Sequence, residues 1–326
     1  MLLPTVLAED TPHFLRAVGV LPVAALLPAL GLEALWGIQA GRLVGWIGRG
    51  LAVGAVVAGG ILTARDYFGR YVRSADTGYL FQSAATELAE AANVYLVGDA
   101  ARQVRLDRRL WDSFASVRFL LEPDDRLRLY ADGALAPVAA PALVLSWPYA
   151  DLRAVAAALP AASVIAPSAG PLYRGDLEPA PYVLYAAYAI EPCAVDTCPG
   201  APLAEFEGGL QLLRVETRPA AGGLTVELTW QAEDAPGLRV QVAALAYGLG
   251  ETLLAQADGP LGTEFYPSEW WRAGEIVRET RRFTLGDAPA AEFVVRIGLY
   301  DPVTGTRYTR SDSPSDFVEI VSQPQE

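Results

Sequence analysis

The chain is short of the residue types that most catalytic and metal sites use. Among its 326 residues there is no lysine, and His13, Asn93 and Met1 are the only residues of their types. One imidazole near the N-terminus excludes a Ser/His/Asp triad in the rest of the chain, because no histidine is left there to act as general base. The two cysteines lack a nearby histidine and make a poor zinc site, since zinc needs three or four protein ligands. We therefore expect no metal and no cofactor.

Negative charge dominates the sequence and is concentrated in one part of it. The formal net charge is −13 at pH 7; residues 1–73 hold six arginines and four carboxylates, which leaves −15 for the remaining 253 residues. All 25 basic residues are arginine, which we attribute to GC-rich codon usage. The acidic part has no basic surface that could release counterions from phosphates, and this excludes nucleic acid as a partner.

Two long apolar runs near the N-terminus predict a pair of transmembrane helices. Residues 17–38 and 43–63 each approach the roughly 20 apolar residues that cross a bilayer. Glu33 and Arg49 lie near the ends of these runs, where an arginine can snorkel to the membrane surface. The alternative is a buried helical hairpin in a soluble protein, but two runs of this length rarely occur together in a soluble core. Membrane lipid is thus an expected partner.

The next part, residues 64–199, mixes helical and strand patterns. Apolar residues at helical spacing predict helices over residues 78–92 and 150–159. Short apolar runs predict strands over residues 93–97, 117–121, 127–130, 142–147, 163–166 and 182–188. This combination indicates a small α/β domain, which ends in a linker rich in proline and cysteine over residues 191–203.

The last part, residues 200–326, is rich in strands separated by Gly, Pro and Asp turns. Strands are predicted over residues 210–216, 224–231, 238–247, 253–257, 276–285 and 293–300. The run 224–230 alternates strictly between apolar and polar side chains, as a strand with one buried face does. We expect a jelly-roll-like β-sandwich. The predicted fold class is thus a membrane-anchored multidomain protein: an extracytoplasmic segment 1–16, two transmembrane helices within 17–63, the α/β domain and the sandwich.

Cys193 and Cys198 lie five residues apart in the linker. This spacing suits a small turn closed by a disulfide if the compartment is oxidising, and the alternative is two unpaired loop cysteines. A disulfide would place the soluble domains outside the cytoplasm. The distribution of arginines around the two apolar runs favours the opposite orientation.

Several segments of the sequence are similar to one family of membrane enzymes. They are residues 11–16 (TPHFLR), 65–68 (RDYF), 255–260 (AQADGP), 266–275 (YPSEWWRAGE) and 298–305 (GLYDPVTG). Together they resemble the C-terminal part of bacterial membrane glycosyltransferases of the dolichyl-phosphate-mannose mannosyltransferase-like type (family 39, GT-C). The resemblance implies transfer of a sugar from a polyprenyl-phosphate carrier to a glycan or protein acceptor, with the soluble domains outside the cytoplasm. We follow it for the orientation.

The sequence departs from that family in one important respect. Family members place a catalytic acidic residue in the first extracytoplasmic loop of a large helical bundle, whereas two helices cannot enclose a lipid-linked sugar. We therefore expect a C-terminal portion of such an enzyme, without the catalytic half and without a catalytic residue of its own. The alternatives are a non-catalytic membrane-anchored envelope protein whose β-sandwich binds carbohydrate or protein, and a regulatory protein that faces the cytoplasm.

Two groups of residues are candidates for substrate binding. Arg16 could hold a carrier phosphate and His13 could orient it, although an arginine at a membrane border is also an ordinary interfacial anchor. Tyr266, Trp270 and Trp271 could stack on sugar rings through their flat apolar faces. The alternative for these three aromatic residues is packing in the core of the sandwich.

Overall fold

The computed structural model shows a mixed α/β protein with large β-sheets. It describes residues 21–38, 41–131, 134–175, 178–193, 198, 200–220, 222–248, 251–285 and 293–322. These residues form two compact units. One contains the described residues up to Ser83 together with Tyr173–Tyr182, and the other contains Ala84–Leu172 and the described residues from Val183 onward.

The first unit contains the apolar helices. Among the described residues up to residue 80, the helical elements are α1 (Leu21–Trp36), α2 (Arg42–Arg65), a π-type turn (Asp66–Tyr71) that continues α2, and α3 (Ala75–Leu80). The helix over residues 42–71 is the one helix in the described part of the chain that is long and apolar enough to cross a membrane. Residues 17–20 of the first predicted span lie outside the described residues, and α1 is short, so two transmembrane helices are not confirmed.

The second unit contains the remaining helices and most of the strands. Its helices are α4 (Ser83–Val97), α5 (Arg108–Ser113), α6 (Ala115–Leu120) and α7 (Leu152–Ala158). In chain order, the strands are β1 (Gln103–Asp107), β2 (Leu127–Tyr130), β3 (Ala142–Ser146), β4 (Ser163–Ala169), β5 (Leu172–Tyr173), β6 (Tyr182–Val183), β7 (Ala186–Pro192), β8 (Ala204–Phe206), β9 (Leu210–Ala220), β10 (Gly223–Ala232), β11 (Gln241–Tyr247), β12 (Leu253–Gln256), β13 (Gly259–Pro260), β14 (Ile276–Thr284), β15 (Phe293–Tyr300) and β16 (Phe317–Ser322).

One nine-stranded sheet runs through most of the second unit, in the order β2-β1-β3-β7-β4-β14-β10-β9-β8. Its β1 is parallel to both β2 and β3, and β14 to β8 form an antiparallel region. A smaller sheet has the order β12-β11-β15-β16, with β13 also paired to β11. Apolar side chains of both sheets belong to one buried core, so the two sheets pack as a sandwich.

The large sheet crosses the predicted boundary between residues 64–199 and 200–326. Strand β4 pairs in parallel with β14, in the register Val164 to Ile276 and Ile165 to Val277. A jelly roll confined to residues 200–326 would have kept β14 within its own sheets. Instead, the backbone hydrogen bonds of β4 join the two predicted domains into one sheet.

Two of the predicted strands are helices in the structure. Residues 93–97 continue α4, and residues 117–121 lie in and directly after α6. In each case the buried apolar side chains are four residues apart: Leu96 follows Ala92, and Leu121 follows Val117. This is the spacing of one helix face, which a short and mostly apolar run does not distinguish from a strand.

Candidate functional site

Strand β14 turns two charged side chains toward the interior of the sandwich. Its inward positions are Val277, Glu279, Arg281 and Phe283, and all four are buried. On the neighbouring strand β10, Leu228 lies opposite Glu279 and the other inward residues are apolar. An uncompensated charge at such a position is costly, so these two residues need partners.

The partners form a closed network of hydrogen bonds. The Arg281 guanidinium lies 2.5 Å from Glu279 Oε2 and donates to the carbonyl oxygen of Pro260 at 2.6 Å. Trp230 Nε1 donates to Glu279 Oε1 at 3.0 Å, and the Gly262 N–H donates to Oε2 at 3.0 Å. Burial raises the pKa of Glu279 above its ordinary value, and the charge of Arg281 opposes that shift.

Two glycines let the loop after β12 approach this network. A side chain on Gly259 would place its Cβ 2.6 Å from Arg281 Nη1. Gly262 has a φ of +87°, in the left-handed region that favours glycine, and a Cβ there would clash with the carbonyl oxygen of Tyr266. The position of Gly262 therefore requires glycine, whereas a side chain at Gly259 would displace the Arg281 guanidinium from its place in the ion pair.

A second buried network fixes the rest of this loop. The Tyr266 hydroxyl donates to Glu275 Oε1 at 2.8 Å, and Arg272 lies 2.5 Å from the same oxygen. Trp271 Nε1 donates to the Tyr266 carbonyl oxygen at 3.1 Å. Burial, together with the negative charge of Glu275, raises the pKa of the Tyr266 hydroxyl. These contacts make the loop a rigid part of the core.

The residues predicted to bind sugar do not form a stacking platform. Tyr266 is 0% exposed and Trp271 is 2% exposed, and both are members of the core cluster. Trp270 is partly buried and packs against the same cluster. A sugar ring cannot reach the faces of Tyr266 and Trp271, so packing in the core is the role that the structure gives them. His13 and Arg16, the predicted phosphate-binding residues, lie outside the described residues.

The structure pairs Cys193 with Cys198, and their Cα atoms are 5.2 Å apart. This distance lies within the range that disulfides adopt. Cys198 also packs against a small apolar cluster formed by Val164, Leu213 and Ile276, on the strands where β4 meets β14 and its neighbours. The pair therefore lies beside the junction of the large sheet.

The carboxyl end of β1, where α/β folds often bind ligands, is closed. The fully buried Asp107 lies 2.7 Å from the guanidinium of Arg109 and accepts a hydrogen bond from the Trp147 N–H at 3.3 Å. The space beside it measures about 10 Å³. This is room for no more than a water molecule.

An open cleft lies directly outside the Glu279–Arg281 pair. Its volume is about 470 Å³, within the range of roughly 300–1,000 Å³ that small-molecule sites occupy. Its lining includes polar residues from β11, β14 and the connecting loops: Arg239, Gln241, Asp258, Thr263, Glu264 and Thr280. We name it the sandwich cleft. Its mixture of hydrogen-bond donors and acceptors can bind hydroxyl groups, whereas the Glu275 and Glu279 carboxylates are already occupied by internal partners.

The sequence contains a signal for this cleft, namely two charged residues at inward positions of a predicted strand. The apolar pattern predicts the strand over residues 276–285. Along this strand, Glu279 and Arg281 point to the same side as the apolar Val277 and Phe283. Charged residues at core-facing positions of a strand indicate a buried ion pair or a functional site. The neighbouring Tyr266, Trp270 and Trp271 drew attention instead, because exposed aromatic residues are a familiar feature of sugar sites.

No protein-family model and no curated protein matches the chain. Among solved structures, a β-glucuronidase from Bacteroides uniformis matches with 12% identity and a TM-score of 0.25, over 42% of this chain and 18% of that chain. A glycosyl hydrolase family 2 member from Bacteroides cellulosilyticus matches with 10% identity and a TM-score of 0.23, over 44% of this chain and 18% of that chain. The chain thus spans less than a fifth of these proteins, and similarities this weak carry no argument about its activity.

Proposed function

We propose that this chain is the membrane-anchored C-terminal portion of a glycosyltransferase that uses a polyprenyl-phosphate-linked sugar donor. In this proposal the chain anchors the enzyme and supports its acceptor side, and it does not perform the transfer itself. The observation that carries the anchoring role is the long apolar helix over residues 42–71, whose side chains are mostly exposed. The role in sugar transfer rests on the sequence resemblance.

The packing of α1 and α2 supports a membrane hairpin. Gly48 lies so close to α1 that a Cβ there would be 2.5 Å from the carbonyl oxygen of Leu35. Small residues allow this kind of close helix packing in membranes. On the outside of α2, Leu51, Val56 and Ile61 are more than half exposed. Lipid would remove this apolar surface from water, which is worth about 25 cal/mol per Å².

The described residues also offer no complete set of catalytic groups. They contain no cluster of three or more His, Cys, Asp or Glu side chains that could hold a metal ion, and His13 lies outside them. The buried carboxylates of Glu275 and Glu279 are held by arginines. These contacts give the two buried carboxylates a structural role, and the support role of the chain rests on the sequence resemblance.

The anchoring role can be tested by expressing the full chain in a bacterium and washing the membranes with alkaline carbonate. We expect the chain to stay in the membrane pellet. Replacing both Val56 and Ile61 by Arg should release it, because each charge near the centre of a membrane helix costs about 3 kcal/mol. The single substitution Val303→Arg, at an exposed loop position, is the control and should leave the chain in the pellet. Release of the unaltered chain by carbonate would refute the anchor.

The link to sugar transfer needs a separate experiment, which is to sequence the DNA upstream of Met1. An open reading frame that encodes further apolar helices and an acidic first loop is the expected result. A stop codon followed by a ribosome-binding site would refute the glycosyltransferase portion while leaving the anchor intact.

The second candidate is a non-catalytic membrane-anchored envelope protein whose β-sandwich binds carbohydrate or protein. The sandwich cleft favours it, because the cleft is open and lined by polar groups. Both candidates place the folded unit where it meets glycans outside the cytoplasm, and the upstream sequence separates them.

A further inference from the structure

We propose that the sandwich cleft binds a neutral saccharide through its hydroxyl groups. The inference deepens the proposed function and rests on it in one respect, namely that the folded unit faces glycans outside the cytoplasm. It assigns sugar binding to the polar residues of the sandwich cleft. The sequence pattern predicts that role for Tyr266, Trp270 and Trp271 instead.

The first argument is the set of polar groups that line the cleft without internal partners. The Gln241 amide and the Thr280 hydroxyl make no side-chain hydrogen bond within the described part of the chain. The Thr263 hydroxyl accepts from two backbone N–H groups, which leaves its own hydrogen available as a donor. The hydroxyl groups of a ligand can both donate to and accept from such groups.

The second argument is the charge balance of the cleft. Two arginines, Arg239 and Arg281, face three carboxylates, Asp258, Glu264 and Glu279. Arg281 is already neutralised by Glu279 at 2.5 Å. Arg239 lies 3.7 Å from Glu269, and the three carboxylates outnumber the two arginines by one. The net negative charge of the lining disfavours a phosphate or a uronic acid.

The third argument is that no large exposed apolar side chain lines the cleft. Phe265 contributes to the lining but is only 8% exposed. Peptides and lipids bind mainly through apolar anchors, and the cleft offers no pocket for one. A neutral ligand with many hydroxyl groups matches both the donors and the acceptors, and a volume of about 470 Å³ accommodates a mono- or disaccharide.

The experiment uses the full chain, purified in a detergent without a sugar headgroup. Its probes are the methyl glycosides of mannose, glucose and galactose, with glucuronate as the anionic counterpart. Binding is measured by saturation-transfer NMR and by isothermal titration. We expect saturable binding of at least one neutral glycoside in the millimolar range or tighter, and much weaker binding of glucuronate.

Three variants locate the site. Arg239→Gln and Thr280→Ala change side chains that line the cleft and are exposed to solvent, so the fold should tolerate both. We expect Arg239→Gln to weaken binding about tenfold, the usual cost of losing a hydrogen bond from a charged donor, and Thr280→Ala to weaken it about threefold. The matched control is Arg282→Gln, an exposed arginine on the same strand outside the cleft, which should bind as the unaltered chain does.

Three results would overturn the inference: no neutral glycoside binds up to its solubility limit, glucuronate binds as tightly as the neutral glycosides, or binding is unchanged in both cleft variants. None of these results affects the carbonate wash or the upstream sequence. Failure of the saccharide site is thereby distinguishable from failure of the proposed function.

Discussion

Removing the cation from the buried Glu279–Arg281 pair should destabilise the sandwich strongly, and more so at high pH. In the variant Arg281→Met, Glu279 keeps its hydrogen bonds from Trp230 and Gly262. It loses the guanidinium that lies 2.5 Å away. Breaking a buried pair in this way costs about 3–5 kcal/mol, because a buried charge is left uncompensated.

The sign of the pH dependence follows from the pKa of Glu279. Burial already raises this pKa, and Arg281 is the charge that opposes the shift. Without Arg281 the folded-state pKa rises further above the unfolded value of about 4.3. The variant therefore has its full stability below the unfolded pKa and loses stability as the pH rises through the folded pKa. We expect a smaller deficit at pH 5 than at pH 8.

Urea unfolding of the full chain in detergent, followed by tryptophan fluorescence, measures the effect. The second variant combines Arg281→Met with Glu279→Leu, which removes both charges and should recover most of the loss. The matched control is Glu227→Gln, which breaks the ion pair with Arg278 at 3.5 Å, on the partly exposed outward face of the same sheet. That pair should contribute about 0–1 kcal/mol.

The reasoning fails if Arg281→Met costs less than about 1 kcal/mol at pH 8. It also fails if the loss is the same at pH 5 and pH 8. A double variant as unstable as the single one would show that packing around Arg281, and not its charge, is what matters.

Three further predictions concern other parts of the second unit and its linker. The variant Gly262→Ala should lower the free energy of unfolding, measured in urea, by more than about 2 kcal/mol. Gly274 also has a positive φ but has open space around it, so Gly274→Ala should lower the free energy of unfolding by about 1 kcal/mol. Burial raises the pKa of Tyr185 to about 12, so the free energy of unfolding should fall as the pH rises from about 10 toward 12. The variant Tyr185→Phe should show a smaller fall, which is measured by comparing urea unfolding midpoints at pH 9 and pH 12. Replacing Cys193 and Cys198 by Ser should lower the unfolding free energy by about 2 kcal/mol, the loop-closure value for so short a loop, and thiol titration of the unaltered denatured chain should detect no free thiol before reduction.

The strands of the sandwich could be predicted well from sequence because alternation of apolar and polar residues is visible along each one. Strand β15 was predicted with its observed bounds, and β10 and β14 to within about a residue at each end. The strand β16 was missed, and so was β1. Strand β1 contains Gln103, Arg105 and Asp107 among its five residues, and these polar side chains obscure the pattern of the buried Val104 and Leu106.

The candidate site could be predicted less well because it depends on pairing between distant strands. Nothing local in the sequence shows that Gly262 donates to Glu279, 17 residues away, or that β14 lies beside β4. Trp271 and Tyr266 belong to a conspicuous aromatic segment, yet their burial is set by the loop that folds back on them. Local pattern gives the elements, whereas the site arises from their tertiary arrangement.

The parallel pairing of β4 with β14 has a consequence for how this protein can be divided. A cut at residue 199 or 200 would leave β4 on one fragment and β14 on the other, each with unpaired backbone N–H and C=O groups. Bare strand edges of this kind recruit other chains, so the separate fragments would be prone to associate with one another or to aggregate. The two stretches of sequence therefore have to be produced together for this sheet to form.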